Sequence, residues 1–549
     1  MCCWLLNTTF FGIAQQHGNR GGCYNTTWPL DMANSNRSNC ITNCGFSSNF
    51  DTSQITYSNI SLPYPVFSYS RDTNEVFVMG GCPLILYNYC GAIDTGNPTS
   101  PNSSYSSQFT PYIAKLDINN LTAETLNLSG GNSAPYIGGA VVHANGFIYA
   151  IASGRLFKIQ SEPFQELIST NLPVSGLSQL NFFNGLAVSN TGRIIAKAYN
   201  QINGDGYFFL IDENNLNVIY QLPAAMASPR LTVDIKENKE YIYHLNQNET
   251  YRIEVKNDSL IKDSTWTSAY DPYNDGTVDE PTSPVVLGNK VLYTTNTLYS
   301  ATRAMKIFWQ NKDLSYNNTD TLGGSFLHSD SLSSGWSFFH LSVDDSLSGI
   351  IIGNDQGQGK ISAGIIDSNN NYNLLWERNI KTSARPVIVA DRNLVYVTDF
   401  FNGFDHLVVL DLQSGQEKGR IKTDATKPTI GTIIITPDDY VIYASNEYGN
   451  ATGLINIFKQ DQILSQADNS FECNEAVLFP NPFDCELYVN SPFQNYSIKI
   501  YDVYGSLIYN KSNISNPHHI NSEFFAPGNY KAVIEYSGVT FTRSLTKTK

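Results

Sequence analysis

The stretch "DPYNDGTVDE", Asp271 to Glu280, carries oxygen donors at a spacing that could meet a hard cation. Asp271, Asp275 and Asp279 with Gly276 resemble part of a calcium loop, in which closely spaced carboxylates converge on one ion. Tyr273 occupies a ligand position, and the twelfth position is Thr282 rather than glutamate. The balance therefore favours a solvated connection between strands, with calcium as the only cofactor the residues suggest. A second stretch, "FFNGFD" from Phe400 to Asp405, brings aromatic rings and a carboxylate to a turn-like Asn-Gly pair. Tyr273, Asp275, Asp279, Phe400, Phe401 and Asp405 are the candidate ligand-binding residues. Acid-base or nucleophilic catalysis needs a histidine with suitable partners. His143, His244, His328, His340 and His406 are scattered singly, and each reads as structural. "GNDQGQGK" (Gly353 to Lys360) is one residue too long for a phosphate loop and no helix follows it, so it reads as a turn.

The chain has nine cysteines. Cys82 with Cys90, and Cys473 with Cys485, are plausible local disulfides of an oxidising compartment. Cys40 and Cys44 are spaced like half a zinc site, but no second pair follows, so no metal centre is expected. The opening "MCCWLLNTTFFGIAQQ" ends its apolar run at Ala14-Gln15, like a secretory signal over residues 1–15. It is atypical, since no Lys or Arg precedes the run; a buried N-terminal strand is the other reading. The formal charge of −15 argues against a nucleic-acid partner. No apolar run reaches about 18 residues, so no transmembrane helix is expected.

These residues need elements to position them, and the elements form a repeat. A small or proline entry leads to an apolar strand, a turn rich in Asn, Asp or Gly, and a second strand ending in Tyr or an aliphatic. A third strand carries "LD" or "KI", and a fourth, more polar strand closes the unit. "APYIGGAVVHANGFIYAIASGRLFKI" (Ala134 to Ile159), "TSPVVLGNKVLYTTN" (Thr282 to Asn296), "ARPVIVADRNLVYVTDFFNGFDHLVVLDLQSGQEKGRI" (Ala384 to Ile421) and "KPTIGTIIITPDDYVIYASNEYGNATGLINIF" (Lys427 to Phe458) are copies. Weaker ones start near Val66, Leu186, Leu231 and Leu341. Units of roughly 45 residues are the period of a four-stranded propeller blade. Asn145-Gly146, Gly288-Asn289 and Asp438-Asp439 sit where hairpins need positive φ. The expected fold is all-β: a propeller of about seven to eight blades over residues 65–458, preceded by a Cys-containing segment at 16–64. A linker at 459–477 leads to a small β-sandwich at 478–549.

The phrase "LVYVTD…HLVVLDLQSGQEKGRI" resembles the blade of pyrroloquinoline-quinone-type propellers, with Asp411 to Gly415 in place of the Asp-x-x-Thr-Gly turn. "TTWPLDMANSNRSN" (Thr26 to Asn39) is similar to the phrase that often opens such propellers. The tryptophan that ends each family blade is mostly missing, with Trp376 the clearest survivor. A quinoprotein site implies a vicinal Cys-Cys within the blades, and here the only one is Cys2-Cys3.

The last segment resembles the type A C-terminal sorting domain of Bacteroidota type IX secretion substrates. "FPNPF" contains Pro480, Asn481 and Pro482 at the family's Pro-Asn-Pro entry. "IKIYDVYGSLIYN" contains Gly505 of the family's hairpin. "FAPGNYKAVI" supplies Gly528 and Tyr530, and the basic-spaced tail supplies Arg543 and Lys547. The resemblance implies export through the type IX machinery, to the cell surface or the medium. The expected protein is therefore a secreted propeller acting as a non-catalytic scaffold for glycan or protein ligands. Two alternatives stay open. One is an extracellular enzyme at the propeller channel, either a polysaccharide lyase or hydrolase or a quinoprotein-like protein. The other is a surface adhesin.

Overall fold

A computed structural model describes residues 22–35, 37–81, 110–131, 137–173, 181–200, 205–225, 229–246, 248–269, 280–296, 304–313, 323–329, 341–382, 384–426, 429–447, 452–461, 477–479, 483, 486–490, 496–502, 506–514, 518–536 and 539–547. The presumed signal segment, Cys82, Cys90, Cys473, Cys485 and the Asp271–Asp279 stretch lie outside the described residues. The chain divides into two compact units, Met1–Gln462 and Ile463–Lys549. No helix among the described residues is long and apolar enough to cross a membrane.

The first unit contains eight antiparallel sheets of four main strands each among the described residues. Blade 1 is Phe67–Ser70, Val76–Gly80, Tyr112–Asp117 and Thr122–Asn127. Blade 2 is Ile137–Val142, Ile148–Ala152, Arg155–Ser161 and Phe164–Asn171. Blade 3 is Asn181–Val188, Ile194–Asn200, Asp205–Ile211 and Val218–Ala225. Blade 4 is Thr232–Lys236, Lys239–Leu245, Glu249–Val255 and Leu260–Ala269. Blade 5 is Val285–Leu287, Lys290–Asn296, Lys306–Asn311 and Gly323–Phe326, with Glu280–Pro281 added beside its second strand. Blade 6 is Ser342–Val343, Ile351–Asp355, Lys360–Ile366 and Tyr372–Asn379. Blade 7 is Val387–Val389, Leu394–Phe401, Phe404–Asp411 and Glu417–Lys422. Blade 8 takes Thr429–Ile435, Val441–Glu447 and Thr452–Gln460 from the end of the repeat, and its outermost strand, Ile55–Pro63, from near its start.

The apolar clusters show that the ring closes. Phe77 and Met79 of blade 1 pack with Val142 and Ala150 of blade 2. Val141 and Ile151 of blade 2 pack with Ile194 and Phe209 of blade 3. Equivalent clusters join blades 3 and 4, 4 and 5, 5 and 6, and 6 and 7. One large cluster then runs from Tyr396 of blade 7 through Tyr443 of blade 8 to Val78 and Ala114 of blade 1. Each sheet thus buries both faces against its neighbours, as radial packing requires. First strands are innermost: those of neighbouring blades lie together, whereas fourth strands such as Thr122–Asn127 are largely exposed. The fold is an eight-bladed β-propeller.

Local chemistry explains the turns. Gly146, Gly288 and Asp439 have φ of +84°, +54° and +65° at the hairpins where the sequence places them. Asp411 Oδ1 accepts from the amides of Gln413 and Ser414, and Asp117, Asp212 and Asp367 close their third-to-fourth-strand turns in the same way. Trp376 of blade 6 donates Nε1–H to the Leu412 carbonyl of blade 7 at 2.9 Å. A Cβ on Gly415 would come within 2.5 Å of the same indole, so glycine is needed there for contact between blades as well as for its φ of +65°.

The second unit is a sandwich. One sheet is Val477–Phe479, Glu486–Asn490 and His518–Asn521; the other orders Leu507–Ile514, Tyr496–Asp502, Gly528–Tyr536 and Val539–Lys547. Leu487, Val489, Ile498, Ile500, Ile520 and Ile534 share its core.

Candidate functional site

Antiparallel succession assigns every connection to an end of the ring. First-to-second and third-to-fourth connections lie at one end, which can be called the turn end. Second-to-third connections and those between blades lie at the other, the loop end. The loop end receives the longest links, such as those leaving Gly80 and Phe326, whereas tight hairpins such as Glu237-Asn238 occupy the turn end. The Phe400–Asp405 stretch, a second-to-third-strand connection, belongs to the loop end. Ala269 and Glu280 bracket the other sequence-predicted binding stretch, but Tyr273, Asp275 and Asp279 lie outside the described residues.

The described stretch is the tip of a blade 7 hairpin. Asn402 and Gly403 turn with φ of +51° and +80°, and Phe401 pairs with Phe404 across the strands. Phe401 is 53% exposed, with the Arg420 guanidinium 5.5 Å from its ring centre. Arg420 is held by Asp399 at 2.7 Å and Glu417 at 2.9 Å, and the Lys422 ammonium lies over the Phe404 ring at 3.1 Å. Phe400 is half-buried. Asp405 differs from the open carboxylate the sequence suggests: it is buried in the third strand and accepts from the Tyr443 hydroxyl of blade 8 at 2.6 Å. A carboxylate facing the neighbouring blade finds a hydroxyl there, so Asp405 ties blades together.

A second constellation sits inside the ring. The segment from Gly22 to Phe50 threads the centre rather than preceding the propeller. Tyr24 donates its amide to Val142 of blade 2, and the Trp28 carbonyl accepts from Ser70 of blade 1. Ser35, Ser38 and Asn39 then accept at their carbonyls from Val233, Val343 and Ile388 of blades 4, 6 and 7. Cys40–Ile41 adds a parallel strand inside blade 7. Trp28, Met32 and Phe46 are fully buried, each stabilising the plug by about 1.5–3 kcal/mol. The cysteines serve this packing: Cys23 and Cys40 are buried free thiols, and Cys44 Sγ lies 3.9 Å from the Pro437 carbonyl.

Within the plug, Asp31 meets three arginines. Arg37 donates to both its oxygens, at 3.1 and 3.2 Å. Arg230 Nη1 stands 3.4 Å from Oδ2, and Arg385 Nη1 stands 3.9 Å from Oδ2 while donating to the Asp31 carbonyl at 3.0 Å. Arg230 also donates to the Gly138 carbonyl at 2.6 Å and lies over the Phe67 ring. Gly139, at φ +116°, leaves the space: a Cβ there would stand 3.0 Å from Arg230 Nη1. All four charged residues are buried. Burial pushes the Asp31 carboxyl up, but the three guanidiniums override it and bring it to about 2. Burial lowers Arg385 to about 9, Asp31 opposing and the other two arginines reinforcing. Arg230 and Arg385 stand two residues before innermost strands, and Gly138 is the second residue of another, so the cluster lies towards the loop end. Nothing in the sequence announces the cluster: the Thr26–Asn39 phrase that holds Asp31 and Arg37 gives no sign of their pairing, and the other two arginines are far away in the chain.

Three of the scattered histidines have described partners or burial within the blades. His143 Nε2 lies 2.8 Å from the Gly192 carbonyl, and its Nδ1 accepts the Asn145 amide. His244 is fully buried, and His406 Nδ1 lies 3.0 Å from the Phe404 carbonyl.

In the second unit, Tyr530 donates its hydroxyl to Ala526 at 2.5 Å, and Gly528 opens its strand at φ +152°. Lys547 is buried, bridges to Phe483 and holds its ammonium 5.7 Å from that ring. Arg543 pairs with Ala532 through the backbone. Pro480, Asn481, Pro482 and Gly505 lie outside the described residues.

The fold defines a β-propeller protein with a separate C-terminal sandwich. That sandwich, residues 477–547, matches the secretion system C-terminal sorting domain family, and the chain is a type IX secretion substrate destined for the cell surface or the exterior. No curated protein matches the chain. Similar solved structures include the Dos1 propeller, 12% identical, covering 74% of this chain and 95% of that one at a TM-score of 0.47. The WD40 domain of SCAP from fission yeast is 7% identical over 76% and 98%, at 0.44. PorZ, a surface component of the type IX secretion system of Porphyromonas gingivalis, is 12% identical over 89% and 82%, at 0.28.

Proposed function

We propose that the propeller is a non-catalytic binding scaffold outside the cell, and that the loop end receives a glycan. The sorting domain recruits the type IX machinery and carries the propeller out. The observation that carries the reading is Phe401: an exposed ring at a hairpin tip, edged by the guanidinium of Arg420. A flat apolar face beside hydrogen-bond donors suits a sugar ring, whose C–H face stacks while its hydroxyls are bound. Nearby, Asn59 donates to Asp424 at 2.7 Å, and Tyr57 accepts the Asp424 amide, which adds a polar rim.

The test is binding of the exported protein to a panel of neutral and acidic polysaccharides. Phe401→Ala is expected to weaken the best ligand about ten-fold, the equivalent of ~1.4 kcal/mol of ring contact, with the melting temperature unchanged. Unchanged affinity in the variant would move the binding surface elsewhere. Cleavage of the polysaccharide would replace the scaffold reading with an enzyme, and binding to a protein array alone would favour the adhesin.

A further inference from the structure

The residues around Phe401 share one face of blade 7. Directly opposed residues of antiparallel strands project to the same side, as do residues two apart along a strand. Phe401 stands opposite Phe404, Asp399 opposite His406, and His406 opposite Lys422, with Arg420 two residues from Lys422. Val397 and Val408 continue this face inward and share an apolar cluster with Ile352 and Trp376 of blade 6. The Lys381 amide, two residues past the last strand of blade 6, donates to Asp399 at 3.0 Å. Rings and cations therefore gather on the blade 6 side of the hairpin, at the loop end. Their charges are not equivalent. The Arg420 guanidinium is engaged by two carboxylates, Asp399 at 2.7 Å and Glu417 at 2.9 Å. The Lys422 ammonium lies over the Phe404 ring, is exposed, and makes no ion pair among the described residues. The nearest carboxylate along the chain, Asp424, accepts from Asn59 at 2.7 Å. His406 adds an acceptor. Its Nδ1 faces the Phe404 carbonyl, which only accepts, so in the neutral imidazole Nδ1 carries the proton and Nε2 keeps a lone pair. The His406 ring stands edge-on to Phe401, 6.4 Å between centres.

We infer that the sugar received at the Phe401 tip is an acidic one, a uronate or a sulfated residue, whose ring stacks on Phe401 and whose anionic group takes the Lys422 ammonium. The inference rests on the glycan reading above and adds the ligand's charge to it. Phe404 holds the ammonium against its face, where the ring quadrupole attracts a cation without neutralising it. A charge-assisted hydrogen bond to an oxyanion is about twice as strong as a neutral one. The formal charge of the whole chain is −15, which repels polyanions at long range. Preference for an acidic glycan therefore has to come from a local cation, and Lys422 stands on the ring opposite Phe401.

The experiment is binding of the full-length protein, at about 0.15 M salt, to two matched pairs of polymers: polygalacturonate with its methyl ester, and dextran sulfate with dextran. Within a pair the backbone is the same and the charge differs. The charged member of at least one pair is expected to bind about ten-fold more tightly than its neutral partner, the worth of one hydrogen bond to a charged group. Polygalacturonate alone assigns a uronate, and dextran sulfate alone a sulfate ester. Lys422→Met keeps the apolar stem over Phe404 and removes the charge. It is expected to lower the affinity for the charged polymer to that of its neutral partner, whereas Phe401→Ala weakens both members alike. Equal binding of charged and neutral members overturns the acidic-sugar inference and leaves the glycan reading standing, and so does unchanged affinity in Lys422→Met. The matched pairs need no variant, so the inference remains open to refutation even if Lys422→Met fails to fold. Binding of neither polyanion also overturns it, and the broader polysaccharide panel then decides the glycan reading by itself.

Discussion

Asp31 faces Arg37, Arg230 and Arg385, so neutralising it removes the carboxylate that these three buried guanidiniums share. Asp31→Asn is expected to destabilise the propeller by about 3–5 kcal/mol, the cost of breaking a buried ion pair from one side, measured by denaturant unfolding. Its own protonation matters little above pH 4. The folded carboxyl lies at about 2, below its ordinary 3.8, so its contribution is present above the unfolded value and fades as pH falls towards 2. His328 acts at milder acidity. Burial brings it from 6.5 to about 4, with Glu377 opposing and Lys360 reinforcing. The unfolded chain then binds a proton that the folded chain refuses, so stability is full above pH 6.5 and falls as pH drops towards 4. The loss is on the order of 2–3 kcal/mol. His328→Phe is expected to flatten that slope, and an unchanged pH profile would remove His328 as its cause. None of this was legible in the sequence, where His328 is one of several single histidines and Asp31 is a lone carboxylate between Leu30 and Met32. Burial and partners come from other blades, and the spacing along the chain does not encode them.

At the level of elements, turns were readable and closure was not. Asn145-Gly146, Gly288-Asn289 and Asp438-Asp439 announce their hairpins because positive φ restricts residue choice locally. Ile55–Pro63 carries no comparable mark. It alternates like an ordinary strand, and its role follows only from pairing Ile60 with Ile455 and Leu62 with Gly453 nearly four hundred positions away. Without it, the edge of Thr452–Gln460 is open, with unpaired backbone groups that template association. Ile60 and Leu62 are both buried in the cluster that joins the last blades to the first. The double change Ile60→Ala, Leu62→Ala is expected to cost about 4 kcal/mol or more. Amides of Thr452–Gln460 should then exchange hydrogen faster than those of blade 3. Uniform acceleration throughout the ring would mean that closure carries no local weight. The Gly22–Phe50 plug escaped sequence reading for a related reason. Its polar residues satisfy the backbone of the inner strands, so they are buried although their types suggest a surface segment.

For the whole molecule, the sorting domain makes the clearest demand. Deleting residues 477–549 is expected to trap the propeller within the cell envelope, as fractionation and surface labelling would show; normal export of the shortened chain contradicts the role of the domain. The sequence by itself determined this destination, the all-β class and the blade period. Those properties reside in local order: ordered motifs in one short segment, alternation within strands, and turn residues at regular spacing. Tertiary structure alone decided the count of eight, the strand that closes the ring, the filling of its channel and the charge on its axis. The physical reason is that radial packing joins residues by blade position rather than by distance along the chain. A buried arginine such as Arg230 acquires its meaning from Asp31, Gly138 and Phe67, which the ring alone brings to it.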